Sequence, residues 1–220
     1  MEDSLIGLID KYFTSIIAVM GTLSGILVTQ IFNIFSKNKD YNLKVSEKIL
    51  DKRIDANESI LEISKRMRAI TAINKDSGNF DSPVETYPII FESKKDFNDF
   101  FNEFSRVLNS KSHFLSIELF RYLNFVQDYF LTIDQWFRDS DGNDFPRIGI
   151  VIKEDLIDFS SQITNHAMLF FEKGAYEKKY INQSRKYHKY TKEKTDLLLS
   201  NTLLISKQEE LDKFKIAGIL

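Results

Sequence analysis

The feature that most constrains this chain is the uncharged run YFTSIIAVMGTLSGILVTQIFNIFS at residues 12–36, here called the apolar segment, which Lys11 and Lys37 bracket. As an α-helix it would be about 37 Å long, against a bilayer hydrocarbon core of about 30 Å. It therefore predicts a tilted transmembrane helix. The alternative is a buried core helix, but core helices are usually shorter and seldom lack charge over such a length. A cleaved signal peptide is disfavoured because the preceding residues are acidic.

The basic residues around the apolar segment predict its orientation. Only Lys11 precedes it, whereas six basic residues follow closely: Lys37, Lys39, Lys44, Lys48, Lys52 and Arg53. The cytoplasmic flank of a membrane helix carries the excess of Lys and Arg. We therefore expect a single-pass protein of the cell membrane, with residues 1–11 outside and residues 37–220 in the cytoplasm.

Small residues on one side of the apolar segment predict contact with a second helix. Gly21 and Gly25 form a GxxxG pair, with Ala18 and Thr22 close to them. Two glycines four residues apart clear a helix face, so that another helix can approach and gain van der Waals contact. The functional interpretation is a homo-oligomer in the membrane. The alternative is that Gly is simply common in membrane helices.

Composition limits the chemistry that the chain can perform. The 220 residues include no Cys, which removes disulfides, thiolate metal sites and cysteine nucleophiles. The three His residues are scattered, so we predict no metal and no cofactor. The formal net charge of −2 excludes a wholly basic nucleic-acid coat, although not a local basic patch. The apolar fraction of 43% is sufficient for a packed core.

Residues 37–73 contain no Gly or Pro and predict a juxtamembrane helix that continues the apolar segment. One apolar stripe has three-and-four spacing: Val45, Ile49, Ala56, Ile60, Ile63, Met67 and Ile70. A weaker stripe about 120° away contains Leu43, Leu50, Ile54, Asn57 and Leu61. The favoured interpretation is one broad face on the core, and the alternative is that the second stripe contacts another subunit. Turn formers then predict a loop at residues 74–92, in which YPIIFES holds a short extended piece.

Residues 93–220 predict a helical bundle, which makes the fold class all-α. A cap formed by Ser93 and Asp96 begins a helix that carries Phe97, Phe100 and Phe104. After a break at residues 109–112, residues 113–137 predict the central helix. A polar turn at 139–149 precedes a helix at about 153–173, and a last long helix is expected from 175 to about 215.

The stretch from Lys173 to Lys194 predicts a basic helix face. Its candidate contacts to phosphate are Lys178, Lys179, Arg185, Lys186, Lys189 and Lys192, with Tyr176, Tyr180, Tyr187 and Tyr190 interleaved. The tyrosines share a stripe with Leu197 and Leu204, which favours anchoring of the helix to the core. The basic face is then mainly solvated, with anionic lipid, a protein partner or nucleic acid as the alternatives.

Two further patterns carry weak chemical signals. Arg106 and His113 approximate the R-x4-6-H pair of HEPN-type helical ribonucleases, in which His acts as acid or base and Arg stabilises phosphate charge. Asp139, Asp141 and Asn143 alternate as in a calcium loop, but Gly142 occupies the wrong loop position and no Glu closes the loop. A solvated turn is favoured there. We favour a protein that is not an enzyme, and a HEPN-like ribonuclease is the alternative.

The layout resembles a known class of bacterial proteins. The apolar segment is followed by the charged helix KILDKRIDANESILEISKRMR and then by a helical domain. This order is similar to that of small membrane-anchored proteins of abortive-infection and related anti-phage systems. The resemblance implies a bacterial antiviral defence role, with the membrane and an unidentified protein as partners. Some such proteins are described as binding nucleic acid, so the basic helix stays a candidate interface.

Overall fold

The computed structural model describes residues 2–72, 85–140, 144–174 and 189–214. The chain divides into two compact units, Met1–Asp51 and Lys52–Leu220. The first unit belongs to one long helix, and the described part of the second is a set of helices with one small sheet. The predicted all-α class is confirmed. The boundary between the units lies within the segment predicted as the juxtamembrane helix.

Helix α1 (Glu2–Met67) is one uninterrupted α-helix. After Gly25 it contains neither Gly nor Pro, so its sequence has no residue that breaks the backbone hydrogen-bond ladder. The predicted continuation of the apolar segment into a juxtamembrane helix is therefore observed.

The last four turns of α1 form one side of the bundle core. Four apolar residues of the first predicted stripe are at most 2% exposed there: Ala56, Ile60, Ile63 and Met67. Asn57 of the second stripe is also buried, and Leu61 packs partly against the same core. Within the second unit, the interpretation of one broad core-facing surface is therefore correct.

A short antiparallel sheet follows α1. Strand β1 (Ile70–Ala72) pairs with β2 (Thr86–Pro88), and Thr71 lies opposite Tyr87. Placing Ile70 in the helical stripe was wrong, because α1 ends at Met67 and the β-branched residues that follow suit an extended backbone. The extended piece predicted within YPIIFES is confirmed, and a 3-10 turn at Ile89–Phe91 follows it. Residues 74–84 of the predicted loop, and residue 73 before it, lie outside the described residues.

Serine caps begin the two central helices. Helix α2 (Lys94–Lys111) follows Ser93, whose Oγ accepts a hydrogen bond from the backbone N–H of Asp96 at 3.2 Å, as predicted. Helix α3 (Ile117–Trp136) follows Ser116, which caps Leu119 in the same way. The break between the helices falls later than predicted, because α2 continues through Lys111 into a 3-10 turn at Ser112–Phe114.

A cluster of aromatic rings joins α2 to α3. The ring of Phe130 on α3 lies 5.6–6.1 Å, between ring centroids, from four rings of α2: Phe97, Phe100, Phe101 and Phe104. Three of the five rings are completely buried, and Phe104 is nearly so. Edge-to-face and tilted pairs at these distances add to the energy of burial. The phenylalanine-rich face predicted for α2 is thus the centre of the bundle.

Helix α4 (Phe145–Leu169) begins eight residues earlier than the predicted start at Lys153. The residues predicted as a polar turn include Phe145 and Ile148, which are buried and form the first core-facing turn of the helix. Pro146 in this first turn has no N–H to lose and favours the helical φ. A Cβ on Gly149 would lie 2.7 Å from Cβ of Phe91, so the glycine permits close approach of the 3-10 turn.

Hydroxyl groups fix the crossing of α1 and α4 inside the bundle. Oγ of Ser64 donates to the carbonyl oxygen of Ser160 at 2.8 Å, and Oγ of Ser160 donates to the carbonyl oxygen of Ser64 at 2.8 Å. The hydroxyl of Thr164 lies 2.8 Å from Oγ of Ser64. Both serines are fully buried, so this hydrogen bonding offsets the desolvation of four polar atoms.

The predicted single helix from 175 to about 215 is wrong in its described part. Residues 189–214 contain three short helices, α5 (Lys192–Ser200), α6 (Leu203–Ser206) and α7 (Gln208–Leu211). Thr191 caps α5 with its side chain, and Thr202 starts α6 in an extended conformation. These threonines favour the start of new helices over one continuous helix. The side chain of Thr191 and the extended backbone of Thr202 each begin a new helix, and such positions interrupt the preceding one.

Candidate functional site

The apolar segment of α1 has no cover from the rest of the described chain. Its most hydrophobic window is 0% buried, and α1 is the one helix among the described residues that is long and apolar enough to cross a membrane. Its large side chains are half exposed or more, from Ile31 at 50% to Phe32 at 71%. A contiguous apolar surface of this kind is unusual on a protein that is surrounded by water. The alternative of a core helix buried in this bundle is not observed.

Two hydroxyl groups in the apolar segment are hydrogen-bonded within the helix. Oγ1 of Thr22 donates to the carbonyl oxygen of Ala18 at 2.8 Å, and Oγ1 of Thr29 donates to that of Gly25 at 2.8 Å. A helix in hydrocarbon has to satisfy its polar groups internally, because no water is available. These bonds make the threonines compatible with an apolar environment.

The predicted packing face at Ala18, Gly21, Thr22 and Gly25 is open. A Cβ built on Gly21 or on Gly25 would have nothing within 4 Å. All four residues are exposed along α1. The face therefore has the space that a second helix needs, and its role in packing stays a prediction.

Arg106 and His113 lie on different elements and at the surface. Arg106 is exposed on α2, and His113 is exposed in the 3-10 turn that follows it. Among the described residues, no hydrogen bond or ring contact joins Arg106 to His113. A role of this pair in RNA cleavage stays a prediction.

Only the end of the predicted basic face can be placed. Nζ of Lys189 forms an ion pair with Oδ1 of Asp128 at 2.9 Å, and Lys192 is exposed at the first position of α5. Tyr190 packs partly against the core, as predicted, and Nζ of Lys194 lies 4.2 Å from its ring centroid. The tyrosine stripe does not extend as predicted, because Leu204 is buried but Leu197 is 62% exposed. The remaining predicted residues lie outside the described ranges: Lys178, Lys179, Arg185, Lys186, Tyr176, Tyr180 and Tyr187.

The described part of the Asp139, Asp141 and Asn143 pattern forms a turn. Asp139 is exposed in a turn after α3, whereas Asp141 and Asn143 lie outside the described residues. Asp144, next to them, is 3.7 Å from Nη1 of Arg147. In the described ranges no three His, Asp or Glu residues are grouped closely enough to hold a metal.

A buried carboxylate that was not predicted from the sequence holds the C-terminal helices. Asp155 on α4 is 7% exposed and accepts three hydrogen bonds. Its Oδ1 accepts from the N–H of Leu203 at 2.9 Å, and its Oδ2 accepts from the N–H of Leu204 at 3.1 Å and from the hydroxyl of Tyr129 at 2.8 Å. The carboxylate thereby caps the start of α6 from another helix.

Burial dominates the electrostatics of this buried pair. Desolvation raises the pKa of Asp155, although its three hydrogen bonds lower it in part. Desolvation and the nearby Asp155 charge raise the pKa of Tyr129 well above its usual value. A signal was present in the sequence, since Asp155 lies among Ile152, Leu156 and Phe159 on an apolar helix face. The arrangement is that of a structural anchor.

Comparison with family models, with curated proteins and with solved structures gave no match to this chain.

Proposed function

We propose that the chain is a single-pass membrane protein that acts by interaction, without catalysis, and presents its helical bundle on the cytoplasmic side. The observation that supports anchoring is the complete lack of burial in the apolar segment. The asymmetry of basic residues supports the orientation, because one Lys precedes the segment and six basic residues follow it within 17 positions.

The proposal includes self-association of the apolar segment. The open space at Gly21 and Gly25 supports it, since a second helix can reach the backbone there without displacing any side chain of the described chain. The bundle would then recognise a protein partner near the membrane. The assembly brings several copies of the bundle together, which strengthens the binding of a multivalent partner.

Alkaline extraction of membranes tests the anchoring. The full chain should stay in the pellet, whereas Val19→Lys with Ile26→Lys should move it to the soluble fraction. Each Lys at the centre of a membrane helix costs about 2.5–3.5 kcal/mol. The matched control, Val19→Leu with Ile26→Leu, should behave as the unmodified chain. Quantitative extraction of the unmodified chain would contradict the proposal.

Replacement of the two glycines tests self-association. Gly21→Ile with Gly25→Ile should leave the chain in the membrane but reduce resonance energy transfer between labelled copies. Met20→Ile with Leu27→Ile adds the same side chains away from the pair and should not reduce it. Unchanged transfer in the glycine variant would remove these residues from the interface.

The resemblance in layout supports phage defence as the process to test. Phage should form fewer plaques on bacteria that express the chain than on bacteria that express the Val19→Lys, Ile26→Lys variant at equal protein level. Equal plating would leave the anchored interaction protein in place and remove the defence role.

A further inference from the structure

The stretch between the apolar segment and the bundle carries an uncovered apolar pair. Residues 37–51 include seven charged residues: Lys37, Lys39, Asp40, Lys44, Glu47, Lys48 and Asp51. Despite this polarity, Val45 is 38% exposed and Ile49 is 43% exposed. Exposed apolar side chains gain free energy when they are removed from water, so a partner that covers these two residues would stabilise this part of α1.

These residues belong to a heptad pattern that begins inside the apolar segment. One set is spaced by seven, Gly21, Val28, Phe35, Asn42 and Ile49, and a second set is spaced by seven between them, Ile17, Ser24, Ile31, Asn38 and Val45. Together they form a heptad seam of alternating three-and-four spacing, equivalent to the a and d positions of a coiled coil. None of the ten residues is charged, including the four that lie within the charged stretch.

The heptad seam ends where the second unit begins. Its next position is Lys52, the first residue of that unit, whose Nζ lies 5.5 Å from the ring centroid of Phe114. The position after it is Ala56, which is completely buried in the bundle core. Beyond Lys52 the same side of α1 reaches the chain's own core at Ala56, whereas the seam residues from Ile17 to Ile49 are exposed in the described chain.

The polar members of the heptad seam favour a second copy of this chain as the occupant. In a parallel pair in register, Asn42 meets the Asn42 of the partner, and each amide supplies both a donor and an acceptor to the other. Asn38, four positions earlier on the heptad seam, can meet the same residue of the second copy in the same way. An Asn at a core position specifies the register and the number of strands at a cost in stability. An unrelated apolar helix would instead leave the amide unsatisfied.

We propose that residues 38–49 of α1 form a parallel two-stranded coiled coil with the same residues of a second copy of this chain. The inference rests on the proposed membrane anchoring, since a common anchor orients two copies alike and concentrates them. A heptad repeat places a seam residue every 3.5 residues on average, whereas a straight α-helix has 3.6 residues per turn. The two helices would therefore wind around each other in a left-handed supercoil.

Disulfide crosslinking tests this pairing cleanly, because the chain has no Cys of its own. Single substitutions Val45→Cys and Ile49→Cys in the full chain, in membranes, should give disulfide-linked dimers under mild oxidation. Residues 44 and 47 lie on other faces of the same turns. The control substitutions Lys44→Cys and Glu47→Cys should therefore give much less of the disulfide-linked dimer. Equal crosslinking at all four positions, or none at Val45→Cys and Ile49→Cys, would overturn the proposal.

A charge variant provides the second measurement. Val45→Glu with Ile49→Glu should abolish the crosslink of an Asn42→Cys chain, whereas Leu43→Glu, at an apolar residue off the heptad seam that is 50% exposed, should retain it. Both sets of residues are exposed, so the bundle stays folded. If the crosslink survives in the double Glu variant, the heptad seam is not the interface.

The outcomes separate this inference from the proposed anchoring. Chains that stay in the alkaline pellet but lack crosslinks at Val45→Cys and Ile49→Cys would refute the coiled coil alone. Chains that are extracted at alkaline pH yet crosslink at those positions would refute the anchoring and retain the coiled coil.

Discussion

The two halves of helix α1 contain similar apolar side chains in opposite environments. In the bundle, Ile60, Ile63 and Met67 are at most 2% exposed, whereas in the apolar segment Ile17, Met20 and Ile34 are more than half exposed. The same types of side chain on one continuous helix are therefore buried in one half and exposed in the other. Since exposed apolar surface is costly in water, an apolar solvent or a partner helix would stabilise the first half.

This difference also separates the energetics of the two halves. Side chains of the bundle half contribute to folding through burial, hydrogen bonding and ring contacts. Side chains of the uncovered half contribute little to the stability of the isolated chain, and on the proposed insertion or association they would gain free energy. Substitutions of the same type in the two halves should therefore have unequal effects on unfolding.

The largest difference is expected for a buried ring. Phe130→Ala removes a completely buried side chain that contacts four rings of α2, and should lower the free energy of unfolding by about 3–5 kcal/mol. Phe35→Ala, at a ring that is 69% exposed, should change it by less than about 0.5 kcal/mol. Denaturant titration of both variants in detergent measures the difference. Equal losses would mean that the apolar half is packed against the bundle.

A smaller difference is expected for a buried carboxylate. Asp155→Ala leaves the Tyr129 hydroxyl and two backbone N–H groups without their acceptor, and should cost about 2–3 kcal/mol. It should also expose the segment after Ser200 to limited proteolysis first. Asp40→Ala, in the uncovered half, should alter neither the unfolding curve nor the cleavage pattern. Simultaneous loss of the whole bundle would show that Asp155 holds more than the C-terminal helices.

Alkaline pH should weaken the bundle through its buried tyrosines. Burial raises the pKa values of Tyr129 and Tyr122 above 10, so the unfolded chain releases these protons at lower pH than the folded chain does. Stability is then fully present below pH 10 and falls as the pH rises above it. Tyr129→Phe should cost about 1.5–2 kcal/mol near neutrality and reduce this alkaline loss.

Unfolding free energies measured between pH 8 and pH 11 test the tyrosine effect. Tyr41→Phe changes a side chain that is 69% exposed and should reproduce the profile of the unmodified chain. The same alkaline loss in Tyr129→Phe and in the unmodified chain would assign the effect to other groups.

The smallest difference is expected for a helix cap. Ser93→Ala removes the acceptor for the N–H of Asp96 at the start of α2 and should cost about 1 kcal/mol. Ser46→Ala lies in the middle of the uncovered part of α1, caps nothing, and should be neutral or slightly stabilising because Ala favours helix. Thermal unfolding monitored by circular dichroism distinguishes the two. A neutral Ser93→Ala would mean that water replaces the cap.

The sequence was sufficient for features that local patterns determine. The uninterrupted α1 follows from the absence of helix breakers, and the start of α2 follows from the cap at Ser93. The core face of α1 follows from the spacing of Ala56, Ile60 and Ile63. Each of these depends on residues within a few turns of one another, so periodicity and capping rules apply directly.

Features that depend on distant residues could not be predicted in the same way. The start of α4 was missed because the polar residues before Pro146 suggested a long turn, whereas burial of Phe145 and Ile148 decides the boundary. The predicted C-terminal helix was too long, because the break at Thr202 is stabilised by Asp155, which lies 47 positions earlier in the chain. The uncovered state of the apolar segment is likewise a tertiary property.

The most direct test of the account is the accessibility of single cysteines along α1 in intact cells. Ser4→Cys, Ser24→Cys and Lys44→Cys chains would be treated with a maleimide that does not cross membranes. The account predicts labelling of Ser4→Cys in intact cells, of Lys44→Cys only after lysis, and of Ser24→Cys only after the membrane is dissolved in detergent. Labelling of Ser24→Cys as readily as Lys44→Cys after lysis would place the apolar segment in water and contradict the account.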